Sequence, residues 1–112
     1  MEVMAYYYLA IAILSEVLGT SMLKASNGFT KAIPSVICLF GYSISFYFLS
    51  LVLKVIPMGL SYAIWSGFGI VLISIVGLVF YRQQLDYPAL LGIFLILSGV
   101  VVIHLYSESI KL

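Results

Sequence analysis

The chain reads as an all-α integral membrane protein of four transmembrane helices joined by short loops, and three observations predict this. Its 112 residues are 64% hydrophobic and 8% charged, whereas a soluble domain carries about a quarter charged residues. Such a chain cannot cover itself with a polar surface and takes lipid as its solvent. Four apolar runs, residues 4–23, 33–53, 60–81 and 87–106, each reach the roughly twenty residues needed to cross the hydrocarbon core. The polar breaks between the runs leave no room for a soluble domain, so residues 1–112 form a single transmembrane domain.

In lipid every backbone polar group must be bonded within its own segment, so each run is a helix. The first, Met4–Leu23, follows Glu2 rather than basic residues, exceeds the length of a signal core and contains an acid. It is therefore expected to stay in place as a membrane helix. The break Lys24–Lys31 (KASNGFTK) holds Asn27-Gly28, a pair suited to a turn after a helix. Pro34 opens the second run, Ile33–Leu53, and the break Lys54–Pro57 (KVIP) leads into the third, Leu60–Tyr81. The break Arg82–Asp86 (RQQLD) places Asp86 as N-cap of the fourth run, Tyr87–Tyr106, with Pro88 in its first turn. Proline costs least at such positions and aspartate caps them well. Connections this short predict that consecutive helices are antiparallel neighbours.

Charge leaves the orientation open. The first and third connections share one side and carry Lys24, Lys31 and Arg82; the termini and second connection carry Lys54 and Lys111. Three against two is almost no bias, although Lys/Arg asymmetry normally fixes topology. Either one orientation prevails regardless, or copies insert both ways and pair head to tail. A net charge of +1 excludes a basic nucleic-acid footprint. The single cysteine, Cys38, lies inside an apolar run, forms no internal disulfide and reads as a small packing residue.

Glu16 is the one ionisable residue in the middle of any run. A carboxylate at bilayer depth is costly to charge and marks an ion or substrate pathway, the alternative being a structural hydrogen-bonded acid. Residues three or four positions away share its helix face: Ala12, Ile13, Gly19 and Thr20. The small ones leave space beside the acid, and the Thr20 hydroxyl can donate to it. Tyr62 and Trp65 point the same way on the third helix, with Gly69 one turn on, and Tyr42 lies mid-span in the second. Aromatic faces beside a carboxylate suit a hydrophobic cation, each ring contributing about 0.5–2 kcal/mol of cation–π attraction. Tyr6, Tyr7, Tyr8, Tyr81, Tyr87 and Tyr106 sit at span ends and read as interfacial belts.

Four short helices have an interior that barely holds its own side chains, so a ligand pocket around Glu16 argues for at least two copies. Gly92 and Gly99 lie on one face of the fourth helix and offer a dimer seam, or are glycines of the kind common in membrane helices. Gly67 and Gly69 in the third helix read as a hinge, or as sites of close packing. His104 reads as interfacial, with a proton relay as the alternative. Lys24 snorkels to the headgroups or shapes a pathway entrance. No nucleophile–base set or metal-ligand cluster points to an enzyme or to a metal site.

These residues together resemble the small multidrug resistance family, in its multidrug, quaternary-ammonium branch. The resemblance spans essentially the whole chain. It is carried by Ser15–Thr20 (SEVLGT) with Leu23-Lys24, Ser26–Thr30 (SNGFT), Ile33–Ser35 (IPS), Pro57–Gly59 (PMG), Tyr62–Gly69 (YAIWSGFG), Leu85-Asp86 and the Gly92/Gly99 pair. It implies a proton-coupled exporter of lipophilic cations in a bacterial inner membrane, working as an antiparallel homodimer, driven by the proton gradient without a cofactor. It also implies that Glu16 is the shared proton and substrate site, with Tyr42, Tyr62 and Trp65 lining the chamber and Thr20 near the acid. A sister branch exporting guanidinium typically has tryptophan where this chain has Gly19, which points away from that branch. The third connection departs from the best-known member in the placement of Arg82 and Gln84, which bears on insertion bias. Guanidinium or polyamine export, and a structural role as a small membrane subunit, are the competing expectations.

Overall fold

A computed structural model describes residues 2–107. Within them the chain forms α1 (Glu2–Ala25), α2 (Ala32–Val52), α3 (Met58–Tyr81) and α4 (Tyr87–Tyr106). All four are long and apolar enough to cross a membrane. Lys111, counted above with the termini, lies outside the described residues.

The connections follow their sequence chemistry. Asn27, Gly28 and Phe29 all take the left-handed conformation, with φ of 49°, 69° and 64°, a turn that glycine and asparagine adopt most readily. Ser26 is buried beneath this turn, and its Oγ accepts from Phe29 N at 3.0 Å. Asp86 caps α4 by accepting from Ala89 N at 3.0 Å, satisfying a donor that the helix start leaves unpaired.

The order of the helices in space differs from their order in the chain. The principal packing runs α2–α1–α3–α4, so α1 separates α2 from α3 and these consecutive helices are not the close neighbours their short link predicts. The reason lies in α1, which carries apolar packing groups on two sides. One side meets α2 through small residues: an ideal Cβ on Gly41 would fall 2.8 Å from Ser15 O and 3.1 Å from Gly19 Cα, and Ser45 Oγ donates to Ala12 O at 2.7 Å. Small residues let membrane helices approach this closely, and packing then replaces the hydrophobic drive that lipid cannot supply. The other side places Leu9, Ile13 and Val17 in a cluster with Ile64 of α3 and with Val52 and Ile56 from the α2 end and the following turn.

A four-helix bundle of square section would have near-equal widths. This chain is a slab with extents of 45 × 35 × 17 Å. At one edge α4 rests on α3, where Val100 Cγ2 lies 2.8 Å from the position a Cβ on Gly67 would take. None of the central residues of α4 is buried. Helix α3 is unbroken through Gly67 and Gly69.

Gly41→Ala should push α1 and α2 apart, because the new methyl meets backbone on the facing helix and backbone cannot rotate away. A loss of about 1–3 kcal/mol is expected for overpacking of this kind, read as a lower thermal midpoint in detergent. Gly59→Ala, where no atom lies within 4 Å of the added carbon, should leave that midpoint unchanged.

Candidate functional site

Glu16 sits two-thirds of the way along α1 and is partly buried. One turn later Thr20 Oγ1 donates to Glu16 Oε1 at 2.9 Å, and the Tyr42 hydroxyl from α2 lies 2.7 Å from the same Thr20 oxygen. An ionised carboxylate can only accept. With Glu16 charged, the Thr20 proton is committed to it and Tyr42 is the donor of the second bond. The result is a directed chain, Tyr42 to Thr20 to Glu16, that gives a carboxylate oxygen a satisfied donor at membrane depth.

The acid opens onto a cavity of about 270 Å³ lined by Glu16 and Thr20 from α1 and by Tyr62, Trp65, Ser66, Gly69, Ile70 and Ile73 from α3. Tyr62 and Trp65 meet edge to face, with ring centroids 5.5 Å apart and planes at 84°. Gly69 lies under Trp65, its nearest neighbour being Cδ1 of that ring at 3.8 Å from an ideal Cβ. Tyr62 remains 63% exposed, so the cavity is open on one side within a single chain. Among the described residues no group of three or more histidine, cysteine, aspartate or glutamate side chains gathers to hold a metal.

Not every residue expected beside Glu16 faces this cavity. A helix turns about 100° per residue, which places Ala12 and Gly19 roughly 40–60° to one side of Glu16 and Ile13 and Thr20 as far to the other. Ala12 and Gly19 are accordingly buried against α2. The Tyr42 ring lies over Gly19, its Cδ1 3.1 Å from an ideal Cβ there. Ile13 lines a separate apolar cavity with Leu9, Ile64, Phe68 and Leu72. Tyr42 thus reaches the acid through Thr20 and is not among the residues lining the cavity. Ser66, Ile70 and Ile73 do line it and were not expected; extending the Tyr62–Trp65–Gly69 stripe at helical spacing finds all three. Gly92 and Gly99 have no atom within 4 Å of an added carbon, and His104 is exposed near the end of α4.

A family model described as Small Multidrug Resistance protein matches residues 4–96, which include every residue of the cavity. The chain belongs to the small multidrug resistance family. It is 51% identical over 104 residues to the multidrug transporter EmrE of Escherichia coli K12, covering 93% of this chain and 94% of that one. It is 52% identical over 104 residues to multidrug transporter PA4990 of Pseudomonas aeruginosa, with the same two coverages. The quaternary ammonium compound-resistance protein QacF of Klebsiella aerogenes is 50% identical over 103 residues, 92% of this chain and 94% of its own. As a member of the small multidrug resistance family the chain is a transporter rather than an enzyme, and a multi-pass protein of the bacterial inner membrane.

The hydrogen-bond chain to Glu16 predicts energetic coupling between Tyr42 and Thr20. Tyr42→Phe should cost about 1 kcal/mol of stability in the wild-type background, the worth of one neutral bond. In a Thr20→Val background, where Tyr42 has lost its acceptor, the same substitution should cost nothing. A double-mutant cycle on denaturation midpoints in detergent measures the difference.

Proposed function

We propose that this protein is a proton-coupled antiporter that exports lipophilic, aromatic and quaternary ammonium cations by alternating access. Proton and substrate compete for Glu16, one per protomer of an antiparallel homodimer. The observation that carries this reading is a hydrogen-bonded carboxylate facing a cavity walled by Tyr62 and Trp65, of a volume suited to a small organic cation. The printed names of its relatives, multidrug transporter and quaternary ammonium compound-resistance protein, support the substrate class. Gly19 supports the multidrug branch over a guanidinium exporter, because the Tyr42 ring fills the space a tryptophan there would need.

The chemistry follows from charge and solvent. An ionised carboxylate in a low-dielectric cavity attracts a cation far more strongly than it would in water, and the aromatic faces add cation–π attraction that flat or quaternary cations share. Protonation removes the charge and with it the main attraction. One guest therefore excludes the other, and a proton gradient drives export without a cofactor.

In an antiparallel pair of identical chains, one protomer bent and one straight, exchanging the two shapes reverses the open side at no net cost in energy. Alternating access then needs no inverted repeat within the chain. Gly67 and Gly69 are the proposed bending points of α3, since they lie beside Trp65 and at the contact with α4. Gly92 and Gly99, which have open space beside them, are the proposed dimer contacts.

Glu16→Gln should abolish pH-driven exchange of tetraphenylphosphonium in proteoliposomes while the protein stays folded. In detergent, Trp65 fluorescence should report cation binding that weakens on acidification in the wild type. In Glu16→Gln that binding should be weak at every pH. Exchange that persists in the glutamine variant would exclude Glu16 as the shared site.

A further inference from the structure

A smaller cavity, of about 170 Å³, adjoins the one beside Glu16. It is lined by Thr20, Ser21 and Lys24 of α1, by Ile73, Val76, Gly77 and Tyr81 of α3, and by Gln83 beyond it. Thr20 and Ile73 belong to both walls, so the smaller space lies between Glu16 and the helix ends that carry Lys24 and Arg82.

That end of the cavity is framed by a specific set of contacts. Tyr81 Oη donates to Ser21 O at 2.8 Å, the one side-chain hydrogen bond that joins α1 to α3 among the described residues. Lys24 Nζ stands 5.3 Å above the centroid of the Tyr81 ring, within range for a cation–π contact that holds the ring in place. Arg82 takes a left-handed conformation with φ of 55° and turns the chain back. Gln83 N then bonds to Gly77 O at 2.9 Å, and Gln83 Oε1 comes within 2.8 Å of where a Gly77 Cβ would lie. Tyr81, Lys24 and Gln83 together line this end of the cavity. A tyrosine that belonged only to an interfacial belt would point its hydroxyl at headgroups; this one is spent on a backbone carbonyl of the neighbouring helix.

We propose that Tyr81 is a positioning residue for transport, whose bond to Ser21 latches α1 against α3 and shuts the mouth of the Glu16 cavity on the Lys24 side. The role rests on the antiport reading above. The bond is absent while the mouth is open, so it sets how fast the cavity opens and not how tightly Glu16 holds a cation. Lys24, a fixed positive charge in the passage, disfavours a cation coming to rest there and leaves Glu16 as the place where it settles.

Tyr81→Phe keeps the ring and its stacking with Lys24 and removes only the bond. With the latch gone, pH-driven tetraphenylphosphonium exchange in proteoliposomes should speed up about fivefold, the rate equivalent of one neutral hydrogen bond, with equilibrium binding by Trp65 fluorescence kept within about twofold. A second readout needs no cation. In a Cys38→Ala background, Val76→Cys places a thiol in the mouth, and its labelling by a small maleimide should also quicken about fivefold when Tyr81→Phe is added. Labelling that is unchanged or slower overturns the latch, as does a loss of affinity large enough to account for the altered exchange rate. Should Glu16→Gln still exchange cations, the site reading fails, while the labelling rate continues to report on the mouth by itself.

Discussion

A carboxylate within the hydrocarbon layer needs a donor close by and room for a counter-charge, and α1 meets both needs within one turn. Thr20 supplies the donor from the position directly above Glu16 on the helix, so the bond depends on helix geometry alone. The rest of the chain is arranged around that turn. Helix α2 approaches so closely at Gly41 that Tyr42 reaches across and completes the hydrogen bonding of Thr20. Helix α3 lies on the other flank and presents Tyr62, Trp65 and Ser66 to the cavity without a hydrogen bond to the acid among the described residues. One side of Glu16 is therefore fixed by polar bonds and the other left as space, which is the asymmetry a site needs if guests are to enter and leave.

Much of this was legible in the sequence, and the remainder was hidden for a physical reason. Four unbroken apolar runs of spanning-helix length with polar breaks specify four helices, because such a run satisfies its backbone groups in lipid within its own segment. The Asp86 cap and the Asn27-Gly28 turn follow from side-chain and backbone chemistry that acts over three or four residues. Glu16 shares a face of α1 with Thr20, and Tyr62 a face of α3 with Trp65, as the spacing along each helix implies. Periodicity, however, reports which residues share a face and not which helix that face meets. Hence the placement of α1 between α2 and α3, and the diversion of Ala12 and Gly19 to the α2 seam and of Ile13 to another cavity, could not be read before the helices were packed. Tyr81 was hidden for the same reason: its partner Ser21 is sixty residues distant, and nothing local separates it from the other tyrosines at span ends.

The slab form bears on how such a site can work. A carboxylate that faced lipid would be costly, and in the single chain the cavity beside Glu16 is open, with Tyr62 largely uncovered. The cover has to be polypeptide or water. Helix α4 is poorly suited to the task within its own chain, since it rests on α3 at the edge of the slab and buries none of its central residues. A helix so lightly held makes sense if its main contacts lie with another molecule, where Gly92 and Gly99 would permit close approach. In the proposed homodimer the two tasks separate cleanly: α4 holds the copies together, while α1, α2 and α3 remain free to shift around Glu16. Rigid attachment and a mobile site could not both be built into four helices if the same helices had to serve each.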